Sequence, residues 1–140
     1  MYKKLLLVLM LAIGLSACKK NKNNIACGTQ TCTESFAVIM LSFTNANGEP
    51  TPIENVSVIN LRTNEPVPPT SYGITMNFVP GVRIIATDET KSAFSAQGDD
   101  IRVTATSSAT GKTKRVNLKV SGGCNCHVER LSGPETVKFD

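Results

Sequence analysis

Apolar and polar residues alternate in several short segments of the chain, and this period of two predicts β-strands. The clearest case is the pair of segments 101–105 and 116–120, which flank the turn-forming residues 108–112, SATGK. This pair predicts a β-hairpin. Further strands are predicted at residues 56–61, 74–79, 82–87, 128–131 and 137–139.

A nearly continuous apolar run, SFAVIMLSF, occupies residues 35–43. A run of this length and composition predicts a central strand that is buried on both faces. Residues 88–100 are polar and predict an irregular connection with a short strand around Phe94. Because Val, Ile and Thr far outnumber Leu after the first 17 residues, the expected class is all-β: a single Greek-key or immunoglobulin-like β-sandwich of about seven or eight strands.

The first residues predict export from the cytoplasm. Lys3 and Lys4 precede an apolar run at residues 5–15, and small residues follow it. As a helix this run would span about 16 Å, which is too short for the roughly 30 Å core of a bilayer. The pattern therefore predicts a secretory signal peptide over residues 1–17 rather than a permanent membrane span.

Leu15, Ser16, Ala17 and Cys18 resemble the lipobox of bacterial lipoproteins, in which an aliphatic and two small residues precede a cysteine. The resemblance implies cleavage after Ala17, lipidation of the Cys18 sulfur and acylation of the new amino group. Several acyl chains on one residue hold a protein stably on a membrane. Since Lys19 rather than Asp follows the cysteine, the resemblance also implies the outer membrane. The acidic cluster that follows the cysteine in some surface-exported lipoproteins is missing here, so we expect the protein to face the periplasm.

Residues 18–26 form a polar, lysine-containing stretch that predicts a flexible spacer, and residues 27–140 are the predicted folded domain. The chain has 15 Lys and Arg against 11 Asp and Glu, a net charge of +4. Five of the lysines lie in the signal and the spacer, which leaves the folded part at −1 (10 − 11). We therefore expect no nucleic acid partner. The expected partners are the membrane, through Cys18, and an envelope protein.

Four further cysteines, Cys27, Cys32, Cys124 and Cys126, form an even set in an exported chain, and this predicts disulfides. A bond between Cys124 and Cys126 would be strained because only one residue separates them. We therefore expect the first pair of cysteines to join the second pair, in either of the two possible connectivities. Each such bond closes a loop of roughly 90 to 100 residues.

The alternative use of these residues is a metal site. Zinc or Cu(I) would take either four thiolates, from Cys27, Cys32, Cys124 and Cys126, or three of these thiolates and the imidazole of the adjacent His127. Their spacing matches no standard zinc finger, and thiolates in an oxidising compartment tend to form disulfides first. Disulfides are the preferred interpretation, and no metal or cofactor is expected.

Residues 38–43, the turn at 45–48, Pro50 and the strand at 56–58 are similar to the opening of carboxypeptidase-regulatory-like domains, which are small transthyretin-like β-sandwiches. The similarity covers a short part of the chain, and Asn55 stands where such domains often have Gly. The resemblance implies a transthyretin-like sandwich. It also implies a non-catalytic structural or interaction module.

Candidates for catalysis are few. His127 is the one histidine of the chain, so any Ser-His-Asp arrangement must include it. Asp88 and Asp99 begin acidic pairs that match no EF-hand loop, and we expect them to be solvated. We therefore predict no enzyme but a membrane-anchored structural or protein-interaction module. The alternatives are a metal-binding protein and a periplasmic hydrolase inhibitor that uses the proline-rich loop from Pro66 to Tyr72.

Overall fold

The computed structural model describes residues 27–71 and 79–140, and within these ranges the chain forms eight strands and one 3-10 helix. The elements are β1 (Val38–Thr44), β2 (Ile53–Asn60), β3 (Glu65–Pro66), β4 (Val82–Thr87), the 3-10 helix η1 (Asp88–Ala93), β5 (Asp99–Ser107), β6 (Thr113–Ser121), β7 (Glu129–Ser132) and β8 (Thr136–Lys138). The predicted all-β class is confirmed. Residues 74–78, which belong to another predicted strand, lie outside the described residues.

The strands form two sheets that pack as a β-sandwich. One sheet has the order β4-β1-β8, and the other has the order β3-β2-β5-β6-β7. In the smaller sheet β1 pairs antiparallel with β4 and parallel with β8. The inward side chains of both sheets share one hydrophobic core, with Leu41 and Phe43 from β1 and Ile101, Leu118 and Val120 from the larger sheet.

The predicted hairpin is β5 and β6, an antiparallel pair with Ile101 opposite Leu118 and Val103 opposite Val116. The alternation of apolar and polar residues fixes this register, because a shift of one residue in the pairing would turn the apolar side chains of one strand away from the core. Proline explains the short β3. Pro66 pairs at the edge of the larger sheet, where a missing backbone N–H costs least.

The apolar run at 35–43 corrects one expectation. Strand β1 is central in its sheet, but only one of its faces is buried: Ile39, Leu41 and Phe43 point into the core, whereas Val38 and Met40 are exposed. The prediction of burial on both faces is wrong for the described structure. A sandwich has two layers, so a strand within it has one core face and one outer face.

The segment after β4 corrects a second expectation, because it forms η1 and no strand around Phe94. A reciprocal cap holds the start of this helix: the Thr87 side chain accepts a hydrogen bond from Glu89 N, and Thr90 Oγ1 accepts one from Thr87 N. This capping pattern satisfies backbone donors that a helix start leaves unpaired. Phe94 follows η1 and places its ring in the core.

Candidate functional site at the cystine and histidine junction

The first described residues, 27–37, are fastened to residues 122–128 by two disulfides. Cys27 bonds Cys124, and Cys32 bonds Cys126. Both bonds join the earlier pair of cysteines to the later pair, as predicted, and the structure selects one of the two connectivities that the sequence left open. We call the four cysteines together with His127 the cystine–histidine junction.

Close backbone packing places the later pair of cysteines. A Cβ atom at Gly122 would lie 2.5 Å from the Lys91 carbonyl oxygen, so glycine lets this segment rest directly on η1. Gly123 N donates to the same oxygen over 2.7 Å, and Lys91 Nζ reaches the Cys126 carbonyl oxygen at 3.3 Å. The junction therefore rests on η1, the element that the sequence predicts least well.

The imidazole of His127 lies between a carboxylate and a hydroxyl. Its Nδ1 donates to Asp88 Oδ2 over 2.7 Å, and its Nε2 lies 2.9 Å from Thr33 Oγ1. Thr33 Oγ1 is in turn 2.7 Å from Ser35 Oγ, which lies 3.4 Å from Nε2. The imidazole thus connects the segment that carries Cys32 to the first residue of η1.

Asp88 is the fixed centre of this network. Its carboxylate also accepts hydrogen bonds from Ala37 N over 2.9 Å and from Val128 N over 2.8 Å. Burial alone would raise the pKa of Asp88, but the hydrogen bonds from Ala37, His127 and Val128 favour the charged form and leave its pKa below the ordinary value. Asp88 therefore joins three separate parts of the chain, and the expectation of a solvated loop carboxylate is wrong.

Hydroxyl, imidazole and carboxylate occur here in the order that serine hydrolases use. An Nδ1–H bound to Asp88 leaves Nε2 as the acceptor for a proton from the hydroxyl of Thr33 or Ser35. Acyl transfer also needs a pocket for substrate and donors for an oxyanion. Two depressions on the surface of the described residues, of about 270 and 330 Å³, are lined by other residues. The network thus supplies a proton acceptor, and neither of these depressions adjoins it.

Metal binding finds little support in this arrangement. With all four cysteines of the junction in disulfides, their sulfurs are not thiolates and cannot ligate zinc or copper in the usual way. Within residues 27–71 and 79–140, no group of three or more His, Cys, Asp or Glu side chains is arranged to hold a metal ion.

A second carboxylate, that of Asp99, is buried rather than solvated. It accepts hydrogen bonds from Asn60 Nδ2 (2.7 Å), Arg62 Nε (2.7 Å) and both the backbone N and the hydroxyl of Ser95 (3.0 and 2.6 Å). Burial raises its pKa, but the hydrogen bonds from Arg62, Ser95 and Asn60 outweigh burial and hold the pKa well below the usual range. This network fastens the loop after η1 to strands β2 and β5.

The proline-rich loop has a mixed character. Pro66, Pro68 and Pro69 are exposed, whereas Val67 and Thr70 are buried. Tyr72, the last residue of the proposed inhibitory loop, lies outside the described residues.

The lipobox residues and Cys18 also lie outside the described residues. In the part of the chain that the structure describes, no helix has the length and apolar character needed to cross a membrane. Comparison with protein-family models, with curated proteins and with solved structures found no match.

Proposed function

We propose that the chain is a bacterial lipoprotein of the cell envelope, held by acylated Cys18 on the periplasmic side of the outer membrane. Its folded domain acts as a non-catalytic structural or protein-interaction module. The observation that carries this proposal is the cystine–histidine junction, which fastens the start of the domain immediately after the predicted spacer.

The two disulfides support export, because such bonds persist in oxidising compartments and are rare in the cytosol. Their position supports anchoring. Cys27 and Cys32 are the first cysteines after the lipobox, and both are bonded to residues nearly a hundred positions later, over separations of 97 and 94 residues. A pull on the spacer would therefore be borne by covalent bonds rather than by β1 alone.

The hydrogen bonds of His127 support a structural role for this residue. They join residues 33–35 to the start of η1, and Asp88 also accepts hydrogen bonds from two backbone N–H groups. A serine hydrolase reacts with fluorophosphonate probes at its activated hydroxyl. We expect no label on Thr33 or Ser35. Labelling of the wild type that disappears in the His127→Gln variant would contradict the non-catalytic proposal and indicate an enzyme.

Intact mass of the protein extracted from the native envelope tests the proposal, with Cys18→Ser as the matched control. We expect an acyl-modified mass that is absent from the Cys18→Ser variant, and four alkylated thiols that appear only after reduction. An unmodified Cys18 would contradict the anchor. Thiols that alkylate without reductant, together with bound zinc or copper, would favour the metal-binding alternative.

A further inference from the structure

The outer face of β1 carries large apolar side chains that the sandwich leaves uncovered. Val38 is 37% exposed and Met40 is 42% exposed, and Phe36, two residues before Val38, is 44% exposed. Val38 and Met40 alternate with the buried Ile39 and Leu41, so these two side chains share one side of the strand. Three of the five exposed large hydrophobic residues in the described chain therefore come from one short segment.

The apolar area continues onto the neighbouring strand. Met40 lies opposite Ile84, and Ser42 lies opposite Val82, so both β4 residues share the outer face, where they are half-buried. The outward positions of β8, Thr136 and Lys138, contribute a hydroxyl and a cation. No Asp or Glu occupies an outward strand position on this described sheet. We call this surface, formed by Val38, Met40, Val82 and Ile84 with Lys138 at its margin, the apolar face.

The opposite side of the sandwich has a different character. Its outer surface carries Asp100 and Arg102 on β5 and Arg115, Asn117 and Lys119 on β6. Charged side chains of both signs on a sheet surface are typical of a face that remains in water. Of the two outer faces in the described structure, the face that contains β1 is therefore the one suited to contact with an apolar or lipid phase.

The position of the proposed anchor indicates what covers this face. Cys27 lies only nine positions after Cys18, and an extended chain of that length spans at most about 30 Å. The junction then holds Thr33 at the imidazole and Ala37 at Asp88, directly before β1. The apolar face thus begins where the tethered chain enters the domain, within reach of the lipid surface.

We propose that the apolar face rests on the bilayer that holds the acyl chains, a proposal that depends on the anchoring proposed above. Apolar side chains of a surface-bound element enter roughly 5 to 10 Å into the boundary between headgroups and acyl chains. The tether keeps the face at a high effective concentration beside the membrane, so weak contacts suffice to orient the domain. Lys138 suits anionic headgroups, and the outward positions of the described strands β1, β4 and β8 carry no carboxylate that would repel them.

The chain contains no Trp, so a single introduced Trp reports on one position. We would place the acylated Val38→Trp and Met40→Trp variants in vesicles of phosphatidylethanolamine and phosphatidylglycerol with brominated acyl chains. The matched control is Leu131→Trp, since Leu131 is 45% exposed and lies on the five-stranded sheet. Circular dichroism confirms that each variant is folded.

We expect Trp at 38 and at 40 to shift to the blue and to lose about half of its emission to bromine, with little change at 131. Equal quenching at all three positions, or none, would overturn the proposal. So would a blue shift without bromine quenching, which would mean that a protein or a second copy covers the face. Intact mass and flotation are measured first. A chain without acyl groups, or one that fails to float with vesicles, refutes the anchor itself, and the present proposal falls with it.

Discussion

Replacing Cys32 and Cys126 together by Ser removes one disulfide and leaves the other between Cys27 and Cys124. The two bonds join nearly the same two regions of the chain, over separations of 97 and 94 residues. Each of them therefore restricts much of the same freedom in the unfolded state. We expect the loss of both bonds to cost more than the sum of the two single losses.

The chain-entropy relation gives the size of this effect. One disulfide closing the long loop contributes about 4.7 kcal/mol to the free energy of unfolding. Once it is present, the second bond closes only a small ring, five residues from Cys27 to Cys32 and two from Cys124 to Cys126. A ring of about seven residues contributes about 2.4 kcal/mol. Each single removal should thus cost about 2.4 kcal/mol and the double removal about 7 kcal/mol.

Urea denaturation followed by circular dichroism measures these differences, with the two paired Cys→Ser variants and the variant that lacks all four cysteines. A loss of about 7 kcal/mol approaches the whole stability of many small domains. The variant without either disulfide should therefore be unfolded, or close to it, before urea is added. Losses that simply add would refute the reasoning, because independent bonds have no shared unfolded-state restriction.

Asp99→Asn should lower the free energy of unfolding by about 2 to 3 kcal/mol at neutral pH. The pKa of Asp99 lies below its ordinary value of 3.8, so the charged carboxylate stabilises the fold above pH 3.8 and loses this effect as the pH falls further. The urea midpoints of the wild type and the Asp99→Asn variant should therefore converge in acid. Gly122→Ala should cost about 2 kcal/mol in thermal denaturation because the new Cβ meets the Lys91 carbonyl, whereas Gly28→Ala, where nothing lies within 4 Å, should change little. His127→Ala should lower the free energy of unfolding by about 1 to 2 kcal/mol, because the hydrogen bonds of the imidazole are lost. An unchanged urea midpoint would contradict a stabilising role for this imidazole.

The strands that could be predicted from the sequence are those whose signal is local. Residues 82–87 form β4 as predicted, and the hairpin of β5 and β6 follows from alternation on both sides of a turn. Burial on each face of β1 could not be predicted in the same way. A run of apolar residues shows that either face of the strand could be buried. Whether a second layer covers a given face depends on the rest of the fold.

The site was predicted in part. Cysteine number and the strain of a bond between Cys124 and Cys126 were enough to indicate the pairing between the two regions. Asp88 gave no such signal, because its partners Ala37, His127 and Val128 lie 51, 39 and 40 residues away. The only local signal was the position of Asp88 directly after a strand and a capping Thr, which marks the start of a helical turn.

The junction and the apolar face bear on one question, which is how a domain tethered as proposed would acquire a fixed orientation. Cys32 is fixed by its disulfide, Thr33 by its contact with the imidazole and Ala37 by Asp88, so the chain after Cys27 is joined firmly to the domain. The predicted spacer at residues 18–26 is polar, and with the proposed anchor at Cys18 it would set only a maximum distance from the membrane. A flexible tether leaves the domain free to rotate, so any preferred orientation must come from contacts of the folded surface. If the chain is anchored as proposed, the apolar face, which has no carboxylate at the outward positions of its described strands, would supply such contacts within reach of the nine-residue spacer.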